Sequence, residues 1–175
     1  TAGLGAGGTG RVGNSEEYNG TAWSEGNNLN TGRSSAASSS NGLQTASLVF
    51  GGSNAPGSQT GATESYNGTS WTTVNPMATN KESSGGAGIQ TAALAFGGYD
   101  GTASIATSES WDGTNWTASP SLAIIKNQMA GTGLQNAALS IGGSSPSGIL
   151  SATEEYNFST NIITPGAWAS GGALN

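Results

Sequence analysis

Four glutamates recur in register along the chain: Glu16, Glu64, Glu109 and Glu154. Arg33, Lys81 and Lys126 recur almost as regularly, and with Arg11 they are all of its cations. Residues of these types at this spacing have two uses. A ring of carboxylates can bind cations, or two of them can act as general acid and base. Alternatively, each glutamate accepts hydrogen bonds from backbone or from a neighbouring unit's cation and holds repeated units in register. Acid–base catalysis needs two carboxylates in different environments, whereas a fourfold equivalent set offers only like ones. The structural use is therefore the expectation, and no catalytic or metal-binding residue is assigned.

Aromatic residues form a second recurrent set. Tyr18, Tyr66, Trp111 and Tyr156 lie two positions after the glutamates, and Trp23, Trp71 and Trp116 lie five positions further on. Such tryptophans can stack on sugars, but repetition at one position favours packing between units, where a large ring buries much area and its N–H finds a carbonyl. Residues that break the repeat are the better binding candidates. Tyr99 and Asp100 stand where other units have Ser53-Asn54 and Ser144-Ser145, and Trp168 lies in an irregular C-terminal stretch. These three are the expected loop contacts, since loops on a rigid scaffold carry binding.

Composition narrows the chemistry further. Among 175 residues there are 10 Asp and Glu, 4 Lys and Arg, 30 Gly, and no Cys or His. Disulfides, thiolate or imidazole metal sites, and Ser-His-Asp triads are thus excluded. A formal charge of −6 without a basic cluster argues against nucleic acid and anionic membrane as partners. No apolar run is long enough for a membrane-spanning helix, and TAGLGAGGTG lacks the features of a signal peptide. The chain opens on Thr1, which suggests processing. GAGGTG (5–10) has no following Lys-Ser/Thr and is not a phosphate loop. No cofactor is expected. Asn19, Asn67, Asn115 and Asn157 lie in glycosylation sequons, which matter only in a eukaryotic secretory setting.

The elements that must position these residues come from a repeat. GLQTASLVFGG (42–52), GIQTAALAFGG (88–98) and GLQNAALSIGG (133–143) align, and Gly-Gly pairs begin at 7, 51, 97 and 142. Behind each pair follows SEEYNGTAW (15–23), TESYNGTSW (63–71), SESWDGTNW (108–116) or the altered TEEYNFSTN (153–161), which lacks the turn Gly and the Trp. Each unit reads as four short strands, with Asn19-Gly20, Asn67-Gly68 and Asp112-Gly113 as two-residue hairpin turns. A four-strand unit of about 45 residues cannot bury both faces alone, so units must stack as propeller blades.

These residues resemble the kelch motif: a hydrophobic strand ending in Gly-Gly, then Glu-x-Tyr or Glu-x-Trp, then Trp. They are Gly51-Gly52 with Glu64, Tyr66 and Trp71; Gly97-Gly98 with Glu109, Trp111 and Trp116; and Gly142-Gly143 with Glu154 and Tyr156. The resemblance implies an all-β, kelch-like β-propeller of four blades, each of four antiparallel strands. Joining Asn175 to Thr1 keeps the register, with Leu174 in the place of Leu43, Ile89 and Leu134. A closed ring is therefore expected: blade 1 from 1–31 plus a closing strand from 164–175, blade 2 from 32–78, blade 3 from 79–123 and blade 4 from 124–163. A window cut from a longer array would show the same seam. SWDGTNW (110–116) resembles the Asp-box of sialidase propellers, but its spacing departs from that pattern and a hairpin turn explains it.

The wording YNGTxW followed by QTAALAFGG is also similar to repeats in structural and tail proteins of marine bacteriophages. That resemblance implies a non-catalytic module of the virion surface, on capsid or tail, extracellular, and engaged in host or glycan attachment. Its partners would be other virion proteins and a host-surface glycan, with self-association a further option. A pure assembly or decoration protein, and a glycan-cleaving enzyme using Glu or Asp, are the alternatives.

Overall fold

The computed structural model describes residues 2–157 and 167–171, which form strands, turns and loops without a helix. The first sheet contains β1 (Gly3–Ala6), β2 (Ser15–Tyr18) and β3 (Trp23–Glu25). The second is built from β4 (Ala37–Ser38) and β5 (Ser47–Phe50), followed by a separate hairpin of β6 (Ser53–Ala55) and β7 (Ser58–Gln59), and is completed by β8 (Thr63–Tyr66) and β9 (Trp71–Val74). The third contains β10 (Gly85–Ile89), β11 (Ala92–Phe96), β12 (Ser108–Trp111) and β13 (Trp116–Ser119). The fourth contains β14 (Ala130–Leu134) and β15 (Ala137–Ile141), a hairpin of β16 (Ser144–Ser145) and β17 (Gly148–Ile149), then β18 (Thr153–Asn157) and β19 (Ala167–Ser170). Every pairing is antiparallel between neighbours in chain order, apart from the inserted hairpins. The fold is all-β and compatible with a propeller-like architecture.

Alternation in the strands places one set of side chains on each face, and both faces of the middle sheets are covered. Leu48 and Phe50 of the second sheet meet Ala93, Ala95, Trp111 and Trp116 of the third. Leu94 and Phe96 of the third meet Ala138 and Tyr156 of the fourth. Val49, Tyr66 and Trp71 turn the other way, toward Leu4 and Ala6 of the first sheet. Strand β10 lies beside β4 on one side and β14 on the other. Here glycine is a steric requirement. A Cβ on Gly86 would collide with the Ser38 carbonyl, and one on Gly131 would lie 2.5 Å from the Gly86 oxygen.

Backbone bonds tie successive sheets together. The second glycine of the first three Gly-Gly pairs donates to the carbonyl of the next sheet's cation: Gly8 to Arg33 (3.0 Å), Gly52 to Lys81 (2.9 Å) and Gly98 to Lys126 (2.9 Å). Ser83 donates to Ser35 and Gln128 to Ser83, both at 2.8 Å, and all three residues have positive φ.

The closing strand expected over 164–175 is corrected in its described part. Ala167–Ser170 pairs with β18 as the outermost strand of the fourth sheet, with Trp168 opposite Tyr156. That sheet thus extends past the boundary expected at 163, and Trp168 sits on a strand rather than in a loop. The register explains the choice, because Tyr18–Trp23, Tyr66–Trp71 and Trp111–Trp116 are the same cross-strand pair. Among the described residues the first sheet has three strands and no closure of the row is seen. Residues 158–166 and 172–175, Leu174 included, lie outside the described residues.

Candidate functional site

Three of the four recurrent glutamates are buried against cations of their own sheet, not of a neighbouring unit as expected, and only their backbone donors come from the connection to the preceding sheet. Glu64 pairs with Arg33, Glu109 with Lys81 at 3.7 Å, and Glu154 with Lys126 at 3.1 Å. Strands β8, β12 and β18 carry the carboxylates inward, and the loop arriving from the preceding sheet supplies backbone donors. Asn30 and Thr31 N–H groups donate to Glu64, Ala78 and Thr79 to Glu109, and Ala123 to Glu154. Each carboxylate therefore fastens one sheet to the loop before it, consistent with the rule that buried charges are paired and hydrogen-bonded.

The cations are not equally satisfied. Arg33 donates to Glu64 and also to the carbonyls of Thr31, Gly51 and Ala62. Lys81 reaches the Thr107 carbonyl at 3.3 Å and stands farther from its carboxylate. Burial pulls its ammonium down to about 8, against the opposing pull of Glu109. Glu16 is different again: it is exposed and faces Glu25 across the β2–β3 pair.

The aromatic set divides in the same way. Trp71 and Trp116 are 6% and 9% exposed, while Trp23 is 56% exposed. Their N–H groups reach the preceding sheet, Trp71 to Ser15 Oγ at 3.4 Å and Trp116 to Thr63 Oγ1 at 3.0 Å. Trp111 is buried and donates to the Gln90 carbonyl at 3.0 Å. The Tyr66 hydroxyl donates to Glu17 of the first sheet, and burial, reinforced by that carboxylate, pushes the phenol up to about 12. Burial also raises the Tyr156 phenol. Tyr18 stacks on Trp23 with ring centres 5.2 Å apart.

Of the loop candidates, Tyr99 and Asp100 form part of a hairpin equivalent to β6–β7 and β16–β17. Tyr99 bridges Glu82 and Ser104, just as Ser53 bridges Ser34 and Ser144 bridges Asn127. The Asp100 carboxylate accepts the N–H groups of Thr102 and Ala103, which hold it below the usual aspartate range. Asp112 is held low in the same manner by Asn115 and Thr114. Tyr99 and Asp100 thus serve the turn itself, and the structure does not bring them together with the glutamates.

Sequence reasoning passed over a recurrent amide. Gln44 donates to the carbonyls of Gly3 (2.9 Å) and Tyr18 (3.1 Å). Gln90 donates to Tyr66, and Gln135 to Ala93 and Trp111. Each glutamine clamps the sheet before its own, and the signal was visible as the invariant Gln of GLQ, GIQ and GLQ. The strand position of Trp168 was hidden because it lies twelve positions after Tyr156, whereas Trp71 lies five after Tyr66.

Open features also lie on the surface. A groove of about 330 Å³ separates β1 from β4 and is lined largely by small residues, among them Ala2, Gly3, Ala36, Ala37 and Ser38. At the turns joining the two innermost strands, Leu43, Ile89 and Leu134 are all exposed. Between the first two of these turns runs a groove of about 390 Å³ formed by Asn41, Leu43, Ala46, Ile89, Gln90 and Thr91. Among the described residues no three carboxylates gather to hold a metal ion, and no helix is long and apolar enough to cross a membrane.

No family model matches the sequence, and no curated protein matches it significantly. The fold is similar to a solved structure titled "Structure of YjhT", with a TM-score of 0.73 and 14% identity over 91% of this chain. The match covers 52% of that chain, so this protein spans about half its length. At this identity the likeness concerns the fold alone.

Proposed function

We propose that the four sheets are kelch-like propeller blades and that the protein is a non-catalytic recognition module of a phage particle. It would stand on capsid or tail and attach to a neutral host-surface glycan. The observation carrying this reading is the row of exposed Leu43, Ile89 and Leu134 at one repeat position, beside the neutral Asn41 and Thr91. Repeated aliphatic side chains left outside the core do not serve folding, and apolar ground with neutral hydrogen-bonding groups suits the C–H faces and hydroxyls of a sugar. Internal use of Glu64, Glu109 and Glu154 favours binding over hydrolysis, because glycoside cleavage needs two accessible, differentiated carboxylates.

The test is incubation with host-envelope polysaccharides. Retention without release of reducing ends is expected, and a Leu43→Asp/Ile89→Asp variant should lose retention at an unchanged unfolding midpoint. Release of reducing ends that stops on a single Glu substitution would overturn the reading in favour of an enzyme. Absence of antibody labelling on purified phage particles would refute the particle assignment.

A further inference from the structure

Asn-Gly pairs stand at 41–42 and 67–68, and the fold treats them differently. In such a pair the glycine nitrogen can reach the asparagine side-chain carbonyl with little hindrance, because glycine carries no Cβ beside it. Asn41 and Asn67 are both exposed, and Gly42 and Gly68 are both half-buried, so solvent access does not separate them.

Hydrogen bonding does. Asn67 Oδ1 accepts the N–H groups of Thr69 (3.0 Å) and Ser70 (2.9 Å). The same turn recurs around Asn19 and, with a carboxylate in place of the amide, around Asp112. The Gly68 N–H donates to no described residue, and Gly68 stands at a φ of +89°. In the other pair the glycine nitrogen is engaged: Gly42 donates to the Ser39 carbonyl at 3.0 Å, and Asn41 itself donates to the Gly88 carbonyl at 2.9 Å. The Asn41 side chain accepts no N–H from the described residues.

We propose that Asn67 is a self-modification site, which deamidates through a cyclic imide with Gly68, and that the fold protects Asn41 from the same reaction. The Gly68 nitrogen attacks Asn67 Cγ; the new N–C bond replaces the bond from Cγ to Nδ2, and the nitrogen's proton leaves with Nδ2 as ammonia. Water then opens the imide, restoring the Gly68 N–H and leaving a carboxylate. The two N–H groups on Oδ1 stabilise the negative charge that oxygen takes on during attack, as paired donors do in an oxyanion hole. The aspartyl product fits the turn, since Asp112 holds its own turn through Thr114 (2.8 Å) and Asn115 (2.7 Å). At Asn41 the attack must first break the bond from Gly42 to Ser39, and no donor meets the developing charge. The reaction places one further negative charge on the β8–β9 hairpin.

The test is incubation of the folded chain at neutral pH in heavy-oxygen water, with peptide mass spectrometry. The label marks conversions that take place during the incubation. Position 67 should convert at least about tenfold faster than position 41, the factor that one retained hydrogen bond supplies. In urea, where both pairs lose their contacts, the two rates should converge. Asp112→Asn, which returns an amide to the same turn, should lose that amide at a rate comparable with Asn67. Asn67→Asp should unfold at the wild-type midpoint. An Asn67 that stays intact in the folded protein overturns the proposal, as do equal rates at 41 and 67 in the folded chain. A difference between them that persists in urea also overturns it, because it would then belong to the neighbouring residues and not to the fold. A stable amide in Asp112→Asn would refute the role of the paired donors, and a lowered midpoint for Asn67→Asp the fit of the product.

Discussion

The first and second sheets are written in nearly the same words and end in different physical states. SEEYNGTAW and TESYNGTSW place a glutamate, a tyrosine and a tryptophan at identical register positions. In the second sheet the glutamate is gripped by Arg33 and two backbone N–H groups, and the tryptophan is buried. In the first, both are exposed. The difference lies in what is adjacent: the second sheet has a sheet before it, with the loop that sheet sends forward, and the first sheet has none among the described residues. The motif therefore encodes half of an interface, and its burial depends on the other half being present.

This comparison can be broken at several points. Trp116→Ala should destabilise by about 3–5 kcal/mol, as deletion of a buried ring does. Trp23→Ala should cost less than about 1 kcal/mol, the range of surface changes. Urea unfolding followed by far-UV circular dichroism measures both, and equal costs would erase the distinction between the sheets.

Glu64→Gln leaves the buried Arg33 without its counter-charge and should cost about 3 kcal/mol. Glu16→Gln should lie within about 0.5 kcal/mol of wild type. A large loss for Glu16→Gln would show that it has a partner of its own in solution.

The smallest effect concerns pH. Lys81 holds its proton less tightly when folded, at about 8, than in the unfolded chain. Between pH 8 and the ordinary lysine range the unfolded state binds more protons, so this group's contribution to stability rises with pH. Tyr66 works in the opposite sense above pH 10, because the unfolded chain ionises there while the folded phenol stays protonated up to about 12. The urea midpoint of wild type should therefore rise relative to Lys81→Arg from about pH 8 to pH 10. Parallel profiles for the two would remove the claim that Arg33 and Lys81 are held differently.

Much of this architecture was legible because strand and turn signals are local. Asn67-Gly68 and Asp112-Gly113 mark hairpins at the expected places, although the connections are four residues long (67–70 and 112–115) rather than two, with only the glycines at positive φ and the Asn67 and Asp112 side chains accepting backbone N–H groups. Alternation in SLVF and ALAF put Phe50 and Phe96 inside. The role of Glu64 as a structural acceptor was legible too, since a repeated, uniform carboxylate fits no differentiated catalytic pair. The position of Trp168 was not legible, because a long connection separates it from Tyr156 and the hairpin signal is lost. The seam between Asn175 and Thr1 falls on residues outside those described. A match of words across the termini says that two segments can occupy equivalent strands, but the backbone groups of Ala167–Ser170 bond to the edge offered by β18.

By itself the sequence determined the repeat, its strand order and the residue types at each register position, because hydrogen-bond pairing and side-chain alternation act over a few residues. Only the tertiary structure decided which copy of each residue is buried. Burial is a property of two surfaces in contact, and identical motifs such as those at Trp23 and Trp71 acquire different energies when only one of them has a sheet laid over it.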